Sequence, residues 1–199
     1  MYFPIFRGRQ FELLALRECV SRGILSNLII PIVEPVKVSS TYTKTVDSFI
    51  EANKAIAIIR NPQVGSWTKD LKKESNAKIR EQAIGQLKDV NVIPSFYVTP
   101  MLSACIKNAA QNGTDIESLL LLCNNPEYIG DYEEVIGDNT PLYNIIPDKG
   151  DFRRRIRLNR VMCEDHFPKQ TRNIDYLNID TEFFSSDHLY YMDDGYKGF

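Results

Sequence analysis

Short apolar runs recur along the chain, and several of them end at a polar residue followed by a proline. Runs this short, separated by segments in which apolar residues recur at helical spacing, predict buried parallel strands that alternate with helices. The predicted strands are residues 2–6, 28–33, 55–59, 92–98, 119–123 and 142–146, with a seventh at 156–164.

The segments between these runs predict helices at residues 11–23, about 45–53, about 75–88, 102 to about 112 and 128–136. The turns that lead into them include Asn61-Pro62, Thr99-Pro100 and Asn125-Pro126. An Asn or Thr side chain accepts a hydrogen bond from a free helix N–H, and proline fits the first helical position. These dipeptides therefore predict turns from strand to helix.

The alternation of strand and helix predicts an α/β fold of repeated βα units resembling a TIM barrel. A doubly wound sheet is the alternative, but no G-x-G-x-x-G motif follows the first strand. A full barrel usually takes about 250 residues, and this chain has 199. A shortened barrel, a fragment and a barrel completed by a partner all stay open. We assign residues 1–168 to the barrel-like domain and residues 169–199 to an irregular segment packed on it.

The composition is that of an ordinary globular protein, with 43% hydrophobic and 25% charged residues. A formal net charge of -2 gives no global signal for nucleic acid or for an anionic membrane. The N-terminus lacks the apolar core of a signal peptide, and the apolar run at residues 28–33 is too short to span a bilayer. Cys19, Cys105, Cys123 and Cys163 are widely spaced, which predicts reduced, mostly buried thiols. We therefore predict a cytoplasmic protein without membrane contact or cofactor.

Function in a parallel barrel gathers at the carboxyl ends of the strands. We predict Glu34, Arg60, Glu164 and His166 as catalytic candidates, since carboxylates and bases together can perform acid–base chemistry. The other residues expected at this edge, as binding candidates, are Arg7, Arg9, Lys37, Asn61, Tyr97, Asn124 and Asp148. In the alternative and commoner arrangement, Glu34, Lys37 and Arg60 form ion pairs that tie the barrel together.

Two further groups of residues have a chemical and a structural interpretation. Glu164, Asp165 and His166 lie close in sequence to Asp187 and His188, and two histidines with a carboxylate could form an open metal site. The spacing matches no named metal motif, and we predict no metal site. Arg153, Arg154, Arg155 and Arg157 could contact nucleic acid, although nearby acidic residues favour an ion-paired, solvated face.

Residues 169–199 are rich in aromatic side chains and poor in periodicity. This density of aromatic residues suits a protein interface, and it equally suits a segment that packs across the barrel mouth. Trp67 is expected to contribute to packing rather than to ligand contact.

Two strings carry a family resemblance: YFPIFRGRQFELLALRE followed by IIPIVEPVK, and FPKQTRNIDYLNIDTEFFSSDHLYYMDDGYKGF. Together they resemble the bacterial and phage "Beta protein" family, a TIM-barrel-like group without a settled activity. The resemblance implies a prokaryotic or phage origin and a setting in defence or mobile elements, and it carries over no catalytic residues.

Three functional hypotheses follow. The first is a TIM-barrel-like protein of a prokaryotic or phage defence or mobile-element system that acts with a protein partner or by self-association. The second is a barrel hydrolase or phosphodiesterase with its site at the strand carboxyl ends. The third is a nucleic-acid-binding module that uses the arginine cluster. The sequence leaves open whether the protein is an enzyme.

Overall fold

The computed structural model describes residues 1–73, 77–164, 171–178, 189, 192 and 195–198. Seven parallel strands form one sheet in the order of the chain, β1 to β7. They are β1 (Ile5–Phe6), β2 (Ile32–Val33), β3 (Ile56–Ile59), β4 (Val92–Tyr97), β5 (Leu120–Leu122), β6 (Tyr143–Ile146) and β7 (Arg160–Met162). Because the order never reverses, the sheet curls in one direction into a half-barrel. The predicted TIM-barrel-like βα fold is confirmed.

Helices connect successive strands and cover the outside of the sheet. They are α1 (Gln10–Ser21), α2 (Ser40–Glu51), α3 (Trp67–Asp70), α4 (Ala77–Gln86), α5 (Leu102–Gln111), α6 (Ile129–Ile136) and α7 (Gly150–Arg155). Short 3₁₀ turns occur at Ile116–Ser118, Pro126–Tyr128 and Asn173–Asn178. The short helices α3 and α7 were missed by the sequence pattern because neither is long enough to show a helical period.

The side chains of each strand alternate between the inside of the barrel and the helix layer. Ile32, Ile59, Leu122 and Val161 belong to an inner cluster to which residues of β2, β3, β4, β5, β6 and β7 contribute. The intervening residues, such as Ile58, pack against the helices in the outer clusters. Both faces of the strands are therefore apolar, which explains their nearly continuous hydrophobic runs.

The two edges of the sheet approach each other. The Phe3 and Tyr143 rings, from the segment before β1 and from β6, meet edge to face with centroids 4.8 Å apart. Gly198 pairs in parallel with Val161 of β7. A Cβ atom on Gly198 would lie 2.5 Å from the Met1 carbonyl oxygen and 2.7 Å from Cε2 of Phe3. Gly198 thus lies between the edge strands β7 and β1 and narrows the opening that seven strands leave.

Proline-preceding residues do not all cap helices as predicted. The Asn125 side chain accepts from Glu127 N at 3.0 Å, as expected of an N-cap. Asn61 instead bonds to the neighbouring strand β4. Helix α2 begins at Ser40, earlier than the predicted residue 45, because the Ser39 hydroxyl accepts from Tyr42 N at 3.2 Å.

The four cysteines differ in how far they are buried, and Trp67 is buried in the core. Cys123 is buried, Cys19 and Cys105 are half-buried, and Cys163 is exposed, so predominant burial is wrong for Cys163. Trp67 is buried against the Tyr42 ring with centroids 4.7 Å apart, in the packing role predicted for it. Within the part of the chain that the structure describes, no helix has the length and hydropathy needed to cross a membrane.

Candidate functional site at the mouth of the barrel

The alternation of side chains brings selected residues to the inner mouth of the barrel. Ile32 points inward, so Glu34, two residues further on, does so as well. Asn61 likewise points inward, because it lies two residues after the inward-facing Ile59 at the end of β3. Tyr97, at the end of β4, packs against the inner cluster. Three of the residues predicted for this edge therefore converge at the carboxyl ends of adjacent strands.

Glu34 is the central carboxylate of this group, although its side chain is only 4% exposed. Its Oε1 accepts from Gln63 N at 2.7 Å, and its Oε2 accepts from the Tyr97 hydroxyl at 3.3 Å. A carboxylate offers about four lone-pair positions, so two acceptor positions remain beyond these bonds. Glu34 is therefore held in a fixed orientation by two donors.

Asn61 fixes the backbone of the tyrosine that contacts Glu34. Its Oδ1 accepts from Tyr97 N at 2.8 Å, and its Nδ2 donates to the Tyr97 carbonyl at 2.9 Å. The amide thereby imitates a strand residue and extends the pairing of β3 with β4 beyond Ile59. Gln63 Nε2 donates in turn to the Asn61 carbonyl at 3.1 Å.

Electrostatics keep Tyr97 in its neutral form. Burial raises the pKa of Tyr97 well above its ordinary value, and the charge of Glu34 and the hydrogen bond to it raise it further. The guanidinium of Arg7 opposes this effect. The phenol therefore donates to Glu34 throughout the neutral pH range. Strand alternation puts Arg7 and Cys163 on the inner side as well, because Phe3 and Val161 belong to the inner cluster.

Arg60 does not join this group. It continues the outward-facing positions Ile56 and Ile58, and its Nη2 donates to the Leu87 carbonyl at 2.7 Å. Its Nη1 donates to Thr114 Oγ1 at 3.2 Å. Burial lowers the pKa of Arg60, an effect that the Tyr42 phenol partly opposes. Arg60 thus ties the ends of helices to the sheet, on the side away from Glu34.

The remaining predicted residues are dispersed around the edge. Asn124 is exposed after β5, and Glu164 is exposed after β7. Arg9 and Lys37 line a separate cavity beside α1 and α2. His166, the fourth predicted catalytic residue, lies outside the described residues. Arg60 faces the helix layer and does not join Glu34 at the mouth.

Two of the four arginines in the cluster, Arg153 and Arg155, are paired with acidic side chains. Arg153 Nη1 lies 3.2 Å from Asp148 Oδ1. Arg155 Nε donates to Glu133 Oε1 at 2.8 Å, and its Nη2 contacts the other carboxylate oxygen. The hydrogen bond to Arg155 lowers the pKa of Glu133.

Arg154 and Arg157 line an open cavity of about 590 Å³ together with Arg155 and the two carboxylates Glu133 and Asp151. The lining is thus of mixed charge, as expected for the ion-paired alternative.

The described residues hold no group of three or more His, Cys, Asp or Glu side chains arranged for a metal ion. Asp187 and His188 fall outside them, as does most of the aromatic segment 169–199. Tyr196 is described: it is buried, and the Arg160 guanidinium lies 4.4 Å from its ring centroid.

Sequence reasoning missed two contributors to the mouth. Gln63 acts through its backbone N–H, which no residue type reveals. The wide spacing of the cysteines predicts only a reduced thiol at Cys163, yet this residue lies two residues after the inward-facing Val161. Extending the strand alternation by one step would have placed it there.

No protein-family model, curated protein or solved structure gave a significant match to this chain. Its function is therefore inferred from the geometry of the mouth.

Proposed function

We propose that the protein is a barrel hydrolase that cleaves a phosphodiester at the carboxyl ends of its strands. The observation that carries this proposal is the buried Glu34 carboxylate, oriented by the Tyr97 hydroxyl and Gln63 N at the mouth. A buried carboxylate whose two donors fix its position is suited to act as a general base. Arg7 is exposed and follows the inward-facing Phe3 by four residues, so it supplies positive charge at this edge for an anionic substrate.

In the proposed reaction, Glu34 removes a proton from the attacking water as the new P–O bond forms. The ester P–O bond breaks, and Glu34 returns the proton to the leaving alkoxide. Tyr97 acts as a positioning residue, because its hydroxyl orients the carboxylate. Asn61 acts one step further away, through its two bonds to the Tyr97 backbone.

The test is turnover of the chromogenic diester bis(p-nitrophenyl) phosphate by the full chain. Glu34→Gln keeps the size and an acceptor oxygen but removes the base, so kcat falls by at least about 100-fold. Tyr97→Phe keeps the ring and removes the hydroxyl, so kcat falls by about tenfold.

Glu133→Gln is the matched control, because this carboxylate lies on α6, where it is paired with Arg155 of α7. Its activity stays at the wild-type level, and circular dichroism checks that every variant is folded. Absence of turnover by the wild-type protein, or equal rates for Glu34→Gln and the wild type, would contradict the proposal.

We propose self-association as a second role, on the evidence of apolar side chains at the opposite end of the barrel. Leu28, Val90, Leu142 and Leu158 precede β2, β4, β6 and β7 and are 66%, 92%, 37% and 61% exposed. The amino ends of parallel strands share one edge, so these residues lie at one end of the barrel. Exposed apolar groups gathered in this way are typical of protein interfaces.

The occupant proposed for this end is a second copy of the chain. Sedimentation velocity over a wide concentration range will show association of the wild-type protein and its loss in Val90→Asp/Leu158→Asp. Met101→Asp is the control, since Met101 is exposed beyond the carboxyl end of β4. A wild-type protein that stays monomeric throughout would refute this role. The setting in prokaryotic or phage defence rests on the Beta protein resemblance alone.

A further inference from the structure

A cavity of about 460 Å³ lies between the first turns of α1 and α2, outside the barrel wall. Its lining includes Gly8 and Arg9 from the loop after β1, and Lys37 from the loop after β2. Ser40 and Thr41, in the first turn of α2, contribute hydroxyl groups, and Leu13 forms part of the apolar wall. The volume is in the range of small-molecule sites, about 300–1,000 Å³.

The charge of this cavity is positive. Arg9 and Lys37 are its charged lining residues, and no carboxylate belongs to the lining. Within the described part of the chain, neither cationic side chain has an ion-pair partner. The nearby Glu12 carboxylate is turned to the helix backbone, where its Oε2 accepts from Arg9 N at 2.9 Å. Two cations thus face one cavity without a protein anion between them.

One backbone N–H near the start of each helix is already bonded within the protein. Glu12 bonds to the backbone at the start of α1, and Ser39 Oγ accepts from Tyr42 N at the start of α2. What remains for a ligand is the pair of cationic side chains and the hydroxyls of Ser40 and Thr41. Guanidinium, ammonium and hydroxyl donors around one concave site are the groups that bind phosphate oxygens.

The two loops that carry the cations are held close together. Gly8 has a φ of 55°, and a Cβ there would lie 2.9 Å from the Glu34 carbonyl oxygen. Glu34 N also donates to the Phe6 carbonyl at 2.8 Å. Only a glycine permits this backbone approach without strain. The fold therefore holds the backbones of the two loops that carry Arg9 and Lys37 close together before any ligand arrives.

We propose that this cavity binds the terminal phosphate of a small ligand, with Arg9 and Lys37 as its charge partners. The site is separate from the proposed acid–base centre, because the Glu34 side chain faces the barrel interior and its carboxylate contacts Tyr97 there. Binding here does not require Glu34 to act as a base.

Isothermal titration of the full chain with inorganic phosphate and with pyrophosphate tests the proposal at low ionic strength. The wild-type protein binds pyrophosphate at one site, more tightly than phosphate because two cations face the larger anion. Arg9→Gln and Lys37→Gln each weaken binding by about tenfold. Added salt weakens wild-type binding as well, since both cations are exposed.

Lys44→Gln is the matched control, because it removes one exposed positive charge from α2 outside the cavity lining. It retains wild-type affinity, as does Glu34→Gln, which separates this site from the proposed hydrolase. The thermal unfolding midpoint of each variant without ligand verifies that it is folded. Absence of saturable pyrophosphate binding by the wild type would overturn the proposal. It would also be overturned if Lys44→Gln weakened binding as much as Arg9→Gln and Lys37→Gln do, because that result indicates diffuse charge attraction.

Discussion

The side-chain amide of Asn61 forms two hydrogen bonds with the backbone of Tyr97, one to its N–H at 2.8 Å and one to its carbonyl at 2.9 Å. Asn61 follows β3, and Tyr97 is the last residue of β4. The Asn61 amide therefore continues the pairing of these two strands beyond their regular ladder of backbone hydrogen bonds. The Tyr97 hydroxyl in turn donates to Glu34. Three strands are thus connected at the mouth through Asn61, Tyr97 and Glu34.

Asn61→Ala will lower the free energy of unfolding by about 1–3 kcal/mol, because it leaves a backbone N–H and a carbonyl without these partners. Urea unfolding followed by circular dichroism measures the change. Asn124→Ala is the control: Asn124 is exposed after β5, and a surface change of this kind stays within about 0.5 kcal/mol. Equal stability of the two variants would show that the Asn61 bonds contribute nothing.

Arg60→Met tests whether Arg60 is structural. The substitution keeps an extended side chain but removes the donors to the Leu87 carbonyl and Thr114, so we expect a loss of about 1–3 kcal/mol in the free energy of unfolding. Arg154→Met, at an exposed position, changes it by less than about 0.5 kcal/mol. A stable Arg60→Met variant that has lost diesterase activity would instead restore the catalytic assignment of Arg60.

Gly198→Ala will destabilise the protein by about 1–3 kcal/mol, because the new methyl group would overlap the Met1 carbonyl and the Phe3 ring. The urea midpoint at an unchanged m-value is the measurement. Gly85→Ala is a control for which the expected change in stability has the opposite sign. It lies in α4, and no atom lies within 4 Å of the position its new methyl group would take, so it stabilises by about 0.5–1 kcal/mol. A neutral Gly198→Ala would mean that Gly198 does not lie tightly between the sheet edges.

Cys123 makes stability depend on pH in the alkaline range. Burial raises the pKa of its thiol from 9.0 to about 12, with Arg155 opposing the shift. Above pH 9 the unfolded chain releases a proton that the folded chain keeps, so this contribution to stability is complete below pH 9 and is lost as pH rises towards 12.

Cys123→Ala therefore flattens the plot of unfolding free energy against pH by up to about 1.4 kcal/mol per pH unit above pH 9. Urea unfolding at a series of pH values gives both curves. Below pH 8 the curves run parallel, because the thiol is protonated in both states there, and this region is the internal control. Identical slopes above pH 9 would contradict the assignment to Cys123.

The apolar runs predicted all seven strands in their order, because each strand is buried on both faces and its hydrophobic run marks it directly. They also placed Glu34, Asn61 and Tyr97 at the carboxyl edge. The pattern could not show that Arg60 turns to the helix layer while its neighbour Asn61 turns inward. That difference depends on which residues of β3 face the barrel interior and which face the helices. In a strand whose residues are all apolar, the sequence does not reveal which set faces inward.

The sequence by itself determined the repeated βα units, the chain order of the strands and the edge at which polar residues collect. These follow from local periodicity and from proline-marked turns, which need no distant contact. Only the tertiary structure decided that Asn61 bonds to Tyr97 rather than capping a helix, that Glu34 faces Tyr97, and that Gly198 lies beside Met1. Each of these contacts joins residues far apart in the chain, and it is the curvature of the sheet that brings them together.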